Sequence, residues 1–180
     1  MPKNPSLMLV VTLLFIPLSA CVSSSSHYRD LTVTDVDIPR FMGKWYVLAS
    51  IPTAFEEGAV NGIEEYRLEG DGSIYVSFKF RSDSAQGEQN EVSQQAWIVD
   101  EKTKAHWKIR PIWPLLFDYL IIALDERDYQ YTVVGRPGRE NMWLMARQPN
   151  LAPEVYERLI EKVVIAGYER EKIVRIRQEW

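Results

Sequence analysis

The sequence predicts an all-β domain of eight short antiparallel strands closed up into a sheet sandwich or barrel, followed by one helix and a short final strand. Three observations predict it. Stretches of alternating apolar and polar residues recur along most of the chain, turn-forming residues punctuate them, and a sustained helical periodicity appears only after residue 150.

The front of the chain stands apart from that domain. Lys3 gives a basic start, residues 7–18 form an apolar run broken only by Thr12 and Pro17, and the small residues Ser19 and Ala20 follow. Twelve residues rise about 18 Å as a helix, well short of a hydrocarbon core of about 30 Å, so a cleaved signal fits better than a permanent span. The next residue, Cys21, is the only cysteine. Leu18-Ser19-Ala20-Cys21 resembles the lipobox of bacterial lipoproteins, which implies cleavage before Cys21, diacylglycerol on its thiol and acylation of the new amine. Several acyl chains give stable attachment where one holds only reversibly. Val22, where Asp commonly retains enterobacterial lipoproteins at the inner membrane, implies by the same resemblance an outer-membrane location on the periplasmic face. Residues 21–35, with serines at 23–26, read as a polar tether, leaving residues 36–180 for the folded domain.

The strands then follow in order. Trp45, Val47 and Ala49 share one parity in the first, over 45–50, and residues 63–68 form a weaker second. Glu69 to Gly72 supply a hairpin turn before the cleanest strand, where Ile74, Val76, Phe78 and Phe80 alternate with Tyr75, Ser77, Lys79 and Arg81. Further strands are expected at 91–99, 105–110, 119–124, 129–134 and 142–147, separated by segments compatible with turns. Pro153 opens a helix, Glu154 suits its positive end and Gly167 ends it. Val155, Leu159 and Val163 make an apolar stripe with Ile160 and Val164, so this helix must pack on another element. Residues 172–177 alternate once more as a last strand. A sandwich has no necessary place for the helix; a small barrel does.

Composition narrows the function classes. The chain carries a formal charge of −4, and loss of Lys3 with the signal makes it −5, which argues against nucleic acid as a main partner. The 160 residues left after removing the first 20 suffice for one domain with a sizeable core, so no disulfide is needed. His27 and His106 are far apart, and no H-E-x-x-H, C-x-x-C or G-x-S-x-G pattern occurs, so neither a metal, a cofactor nor a catalytic set is expected.

Three segments carry a family resemblance. Gly43-Lys44-Trp45 resembles the G-x-W signature at the start of the first lipocalin strand, residues 128–135 resemble the second signature with a different tyrosine spacing, and Trp143 to Pro149, containing Arg147, resemble the third. Phe55-Glu56-Glu57-Gly58, Asp118-Tyr119 and Ala123-Leu124-Asp125 add local similarity to the branch of bacterial lipocalins, apolipoprotein D and plant temperature-induced lipocalins. The resemblance implies an eight-stranded up-and-down lipocalin barrel with a C-terminal helix. It also implies that Arg147 lies over Trp45 at the closed end, while Gly43 lets backbone approach that ring. These three residues are assigned to structure.

The resemblance further implies binding, storage or transport of fatty acid, lysophospholipid or another apolar ligand at the open end. Strand parity nominates Val76, Phe78, Trp97, Trp107 and Leu120 for the cavity wall, with Tyr119 and Tyr131 as phenolic partners. Parity cannot give the inward phase where both faces carry aromatics. The apolar loop Ile112-Trp113-Pro114-Leu115-Leu116-Phe117 is expected to flank the entrance, meet a membrane or join a second copy as a homodimer. Glu56 and Glu57 read as solvating a loop. The competing readings are a lipocalin-like enzyme acting on lipid and a structural or protein-docking envelope lipoprotein; the latter requires a barrel packed solid.

Overall fold

The computed structural model describes residues 31–32 and 35–180; the signal segment, Cys21 and the serines after it lie outside the described residues. Asp37 caps a short helix α1 (Ile38–Phe41) by accepting the Arg40 N–H at 3.2 Å, and Pro39 favours its first turn. Eight strands follow: β1 (Gly43–Ile51), β2 (Ala59–Leu68), β3 (Ile74–Ser82), β4 (Gln89–Ile98), β5 (His106–Arg110), β6 (Phe117–Leu124), β7 (Tyr131–Gly135) and β8 (Met142–Ala146). Each pairs antiparallel with the next, and β1 pairs with both β2 and β8, which closes the barrel.

Helix α2 (Pro153–Ile165), a 3₁₀ turn (Arg170–Lys172) and β9 (Val174–Arg175) complete the chain. Gly167, at φ +95°, donates its N–H to the Val164 carbonyl at 2.9 Å, and Tyr168 donates to Val163 at 3.2 Å. This paired capping satisfies two of the last carbonyls of α2, a conformation that Gly adopts without the penalty a Cβ brings.

The strand boundaries differ from the expected ones where the backbone breaks alternation. β2 starts at Ala59 rather than 63, because a bulge between Val60 and Ile63, with Asn61 at φ 55°, disrupts the period-two pattern. β7 starts at Tyr131 rather than 129: Tyr129 takes φ 54° and donates its N–H to the Asp125 carbonyl at 2.8 Å, so it belongs to the preceding turn. The last strand shrinks from 172–177 to two residues, since Arg170–Lys172 coil into the 3₁₀ turn.

Two apolar layers result. Inside the barrel, Phe41, Trp45, Tyr66, Val76, Phe78 and Trp107 belong to one buried cluster. Outside, Leu48, Leu120, Val133, Met142 and Leu144 bury against Leu159, Ile160 and Val163 of α2. Every residue of β8 is consequently buried, one face by the interior and the other by the helix.

The closed end is fixed by Arg147. Its guanidinium lies 3.7 Å from the Trp45 ring centre and donates to the carbonyls of Arg40, Lys44 and Met42 at 2.7, 2.8 and 2.9 Å. Trp45 Nε1 donates to the Phe41 carbonyl at 2.8 Å, so α1 is tied beneath the barrel as a plug. Gly43 serves this corner through its φ of +91°; a Cβ there would sit at an ordinary 3.5 Å from Arg147, so backbone conformation, rather than the expected close approach, explains the glycine.

Along the opposite half of the wall, β1 leaves β2. Only Gly43 to Tyr46 pair with β2, and after a bulge between Val47 and Ala49 the strand pairs with β9. Residues 176–179 span the gap. Ile176 donates to the Leu48 carbonyl at 2.9 Å and Asn61 donates to Arg177 at 2.9 Å. Gln178 Nε2 donates to Val47 at 2.7 Å and to Gly62 at 3.2 Å.

Candidate functional site

β1 runs away from the Trp45–Arg147 corner, so the loops after β1, β3, β5 and β7 surround the other end. There the interior opens as a cavity of about 590 Å³, lined by Val92, Ile109, Leu115, Phe117, Tyr119, Trp143 and residues of the loop 52–56. That volume lies within the range of small-molecule sites, roughly 300–1,000 Å³. Alternation dictates this lining: Trp143 and Tyr119 point inward while their neighbours Leu144 and Leu120 point to α2.

Polar groups are few and placed at two levels. At the mouth, Glu56 Oε2 accepts the Thr53 N–H at 3.0 Å and Trp143 Nε1–H at 3.2 Å, while Arg136 lies 3.8 Å from the Phe117 ring centre. Burial raises the Glu56 carboxyl above its ordinary value, against the lowering effect of the Thr53 and Trp143 hydrogen bonds and the charge of Arg136.

Deeper, Glu64 faces inward from β2, paired across the sheet with Trp45 and Phe78. Tyr66 and Tyr119 both donate to its Oε2, Tyr119 at 3.1 Å, and the two phenol oxygens also touch one another. Burial pushes the Glu64 carboxyl up to about 7; the tyrosine hydrogen bonds oppose this and the charge of Glu56 adds to it. Burial, then the charge of Glu64, holds both phenols well above their ordinary value, so they remain donors. Among the described residues no cluster of His, Cys, Asp or Glu could hold a metal ion.

The structure brings only part of the expected lining together. Phe117 and Tyr119 line the cavity. Val76, Phe78 and Trp107 point into the barrel but pack in the inner core without lining the cavity. Leu120 and Tyr131 are corrected: both lie on the outer face against α2, with Tyr131 Oη accepting from Arg158 at 3.4 Å. Trp97 is corrected likewise, since its pairing opposite Lys108 puts it on the outer face, where Arg110 lies 4.7 Å from its ring centre. Trp113 is 79% exposed and borders a shallow outer depression with Tyr75 and Arg110 instead of the interior.

Glu64, Tyr66, Val92, Ile109, Arg136 and Trp143 are site residues that sequence reasoning missed, and Glu56 is more than a solvated loop carboxylate. The available signal was parity: Glu64 and Tyr66 share a face of β2, and the aromatic marks that face as the inward one. Ile63 on the other face masks it, because hydropathy alone turns a glutamate outward.

Comparison with known proteins agrees with this architecture. The lipocalin-like domain family matches residues 36–178. The chain is 29% identical over 147 residues to the outer membrane lipoprotein Blc of Vibrio cholerae, covering 82% of this chain and 85% of the relative. It is 31% identical over 150 residues to temperature-induced lipocalin-1 of Arabidopsis thaliana, covering 78% of each. Among solved structures, insecticyanin from Manduca sexta superposes with a TM-score of 0.62 at 15% identity, over 82% of this chain and 84% of the other, a likeness of fold alone. With the closed barrel, the Trp45–Arg147 corner and a family match across the whole folded region, the chain belongs to the lipocalin-like family and has the cup such proteins use for small apolar ligands.

Proposed function

We propose that this protein binds and carries a single-tailed amphipath, a fatty acid or lysophospholipid, at the bacterial outer membrane. The observation that carries this reading is the cavity of about 590 Å³ at the end opposite Trp45, walled by Val92, Ile109, Phe117 and Trp143. A structural or docking role calls for a solid barrel, and the open interior speaks against it. Each methylene moved from water into such a wall contributes about 0.8 kcal/mol, so the tail supplies most of the affinity. Arg136 offers a cation at the mouth for a carboxylate or phosphate, leaving the tail to run inward.

Three observations support the location. Relatives from Vibrio cholerae and Escherichia coli are named outer membrane lipoproteins, and Cys21 stands in a lipobox-like context here. Phe55, Ile112, Trp113, Leu115 and Leu116 are exposed on loops around the mouth, which suits a cup that takes its cargo from a membrane surface. Lipid on Cys21 would hold the periplasmic domain beside that surface.

Native mass spectrometry of protein extracted from membranes, followed by titration of the unacylated domain with fatty acid and lysophosphatidylcholine, tests the reading. Co-purified lipid and micromolar binding that perturbs Trp143 fluorescence are expected. No bound lipid and no binding below roughly millimolar would overturn it.

A further inference from the structure

The cavity ends on a group that carriage of plain hydrocarbon does not require. Glu64 is buried at 3% exposure, yet it lines the cavity, and both of its phenol hydrogen bonds fall on Oε2. No buried side-chain oxygen or nitrogen among the described residues lacks a partner, so Oε1, which neither phenol reaches, is the oxygen open to the cavity. A carboxyl so placed, with Tyr66 and Tyr119 fixing its orientation, is a preorganised acceptor facing a largely apolar space.

We propose that Glu64 forms a polar subsite at the floor of the barrel, selecting amphipaths whose deep end carries a hydrogen-bond donor, a hydroxyl or a protonated amine, over those ending in a bare methyl. The inference rests on the carrier reading above and specifies its cargo. A methyl terminus pressed against the floor strips water from Oε1 and returns nothing, and leaving a buried acceptor unpaired is costly. A hydroxyl or ammonium at that point restores the bond. A carboxylate at the deep end is excluded by the charge of Glu64, reinforced by Glu56 nearer the mouth. The other groups around Glu64 do not supply a competing cation: Tyr66 and Tyr119 are neutral donors, Trp45, Phe78 and Trp143 carry no charge, and Arg136 lies at the mouth beside Phe117.

The test uses the full chain carrying Cys21→Ser, titrated at about pH 8, where Glu64 is mostly ionised, with dodecanoic and hexadecanoic acids and with their terminally hydroxylated counterparts. A hydroxylated acid binding roughly tenfold more tightly than its parent is expected, about what one recovered hydrogen bond to a charged acceptor supplies. In Glu64→Leu the order should reverse, because an apolar floor gives the hydroxyl nothing for the water it loses; Glu64→Gln, which keeps the shape, should reduce the preference if the leucine variant does not fold. Parent acids that bind as tightly as the hydroxylated ones to the Cys21→Ser chain overturn the subsite while leaving the carrier reading intact. A preference that survives at full strength in both Glu64 variants overturns the assignment to this residue. Failure of every acid to bind overturns the carrier reading itself.

Discussion

Glu64 makes the barrel's stability depend on pH in the direction opposite to most carboxylates. Its value is about 7 in the folded chain against 4.5 as an ordinary glutamate, so the folded state holds the proton more tightly. The contribution is therefore fully present below about pH 4.5 and is lost as pH rises through about 7. The difference corresponds to on the order of 3 kcal/mol. Thermal unfolding from pH 4.5 to 8.5 should show this loss, and Glu64→Gln should remove most of it, gaining stability only at the alkaline end. Arg147 is the other residue with outsized leverage. Lysine at that position keeps the charge but cannot stack on Trp45 while forking to the carbonyls of Arg40, Met42 and Lys44. Arg147→Lys should cost roughly 2 kcal/mol in chemical denaturation. The role of Arg147 was legible because the G-x-W and W-to-Arg segments resemble known signatures. That of Glu64 was not, since its meaning depends on cross-strand partners Trp45 and Phe78 that only register reveals.

At the level of elements, the alternation of β3 transferred directly into structure, with Ile74, Val76, Phe78 and Phe80 all inward. Periodicity failed where an element is covered twice. β6 and β8 carry apolar residues on both faces because α2 buries the outer one, so parity could not tell Leu120 from Tyr119. It failed again at Tyr129, where a left-handed backbone turns a β-prone tyrosine out of the strand. The pairing between β1 and the chain's last segment supplies a test of its own. Deleting residues 174–180 removes β9 and the bonds from Ile176, Arg177 and Gln178 to both flanking strands. It also takes from the Leu48 and Val47 backbone carbonyls the hydrogen bonds they accept from Ile176 and Gln178. A loss of several kcal/mol, read as a lowered urea midpoint with faster amide exchange confined first to β1 and β2, is the expected outcome.

For the whole molecule, the two apolar layers differ in how they are filled: the outer one is covered by α2, and the inner one is packed around Trp45 and Trp107 but leaves a cavity toward the mouth. Val92→Trp should fill that space and weaken fatty-acid binding by at least tenfold, with little change in melting temperature, because Val92 lines the cavity and is only partly buried. In the unaltered protein, affinity should tighten roughly tenfold for every two methylenes added to a saturated acid until the cavity is full, as titration calorimetry would show. The class of the fold and the existence of a cup could be read from strand spacing, the closing helix and the signature residues. The cup's walls could not, because they are set by which face α2 chooses to cover.

The bridged gap between β1 and β2 also bears on when the barrel can form. β1 precedes every other strand of the barrel, yet its neighbour on one side is β8 and, on the other side over its far half, residues 174–178. No earlier part of the chain can stand in for them. The wall thus cannot close until residues 174–178 have been made, and contacts spanning so much sequence form slowly once they have. Hairpins between consecutive strands from β2 to β8 can form before that, so closure of the wall is the step that waits for residues 174–178.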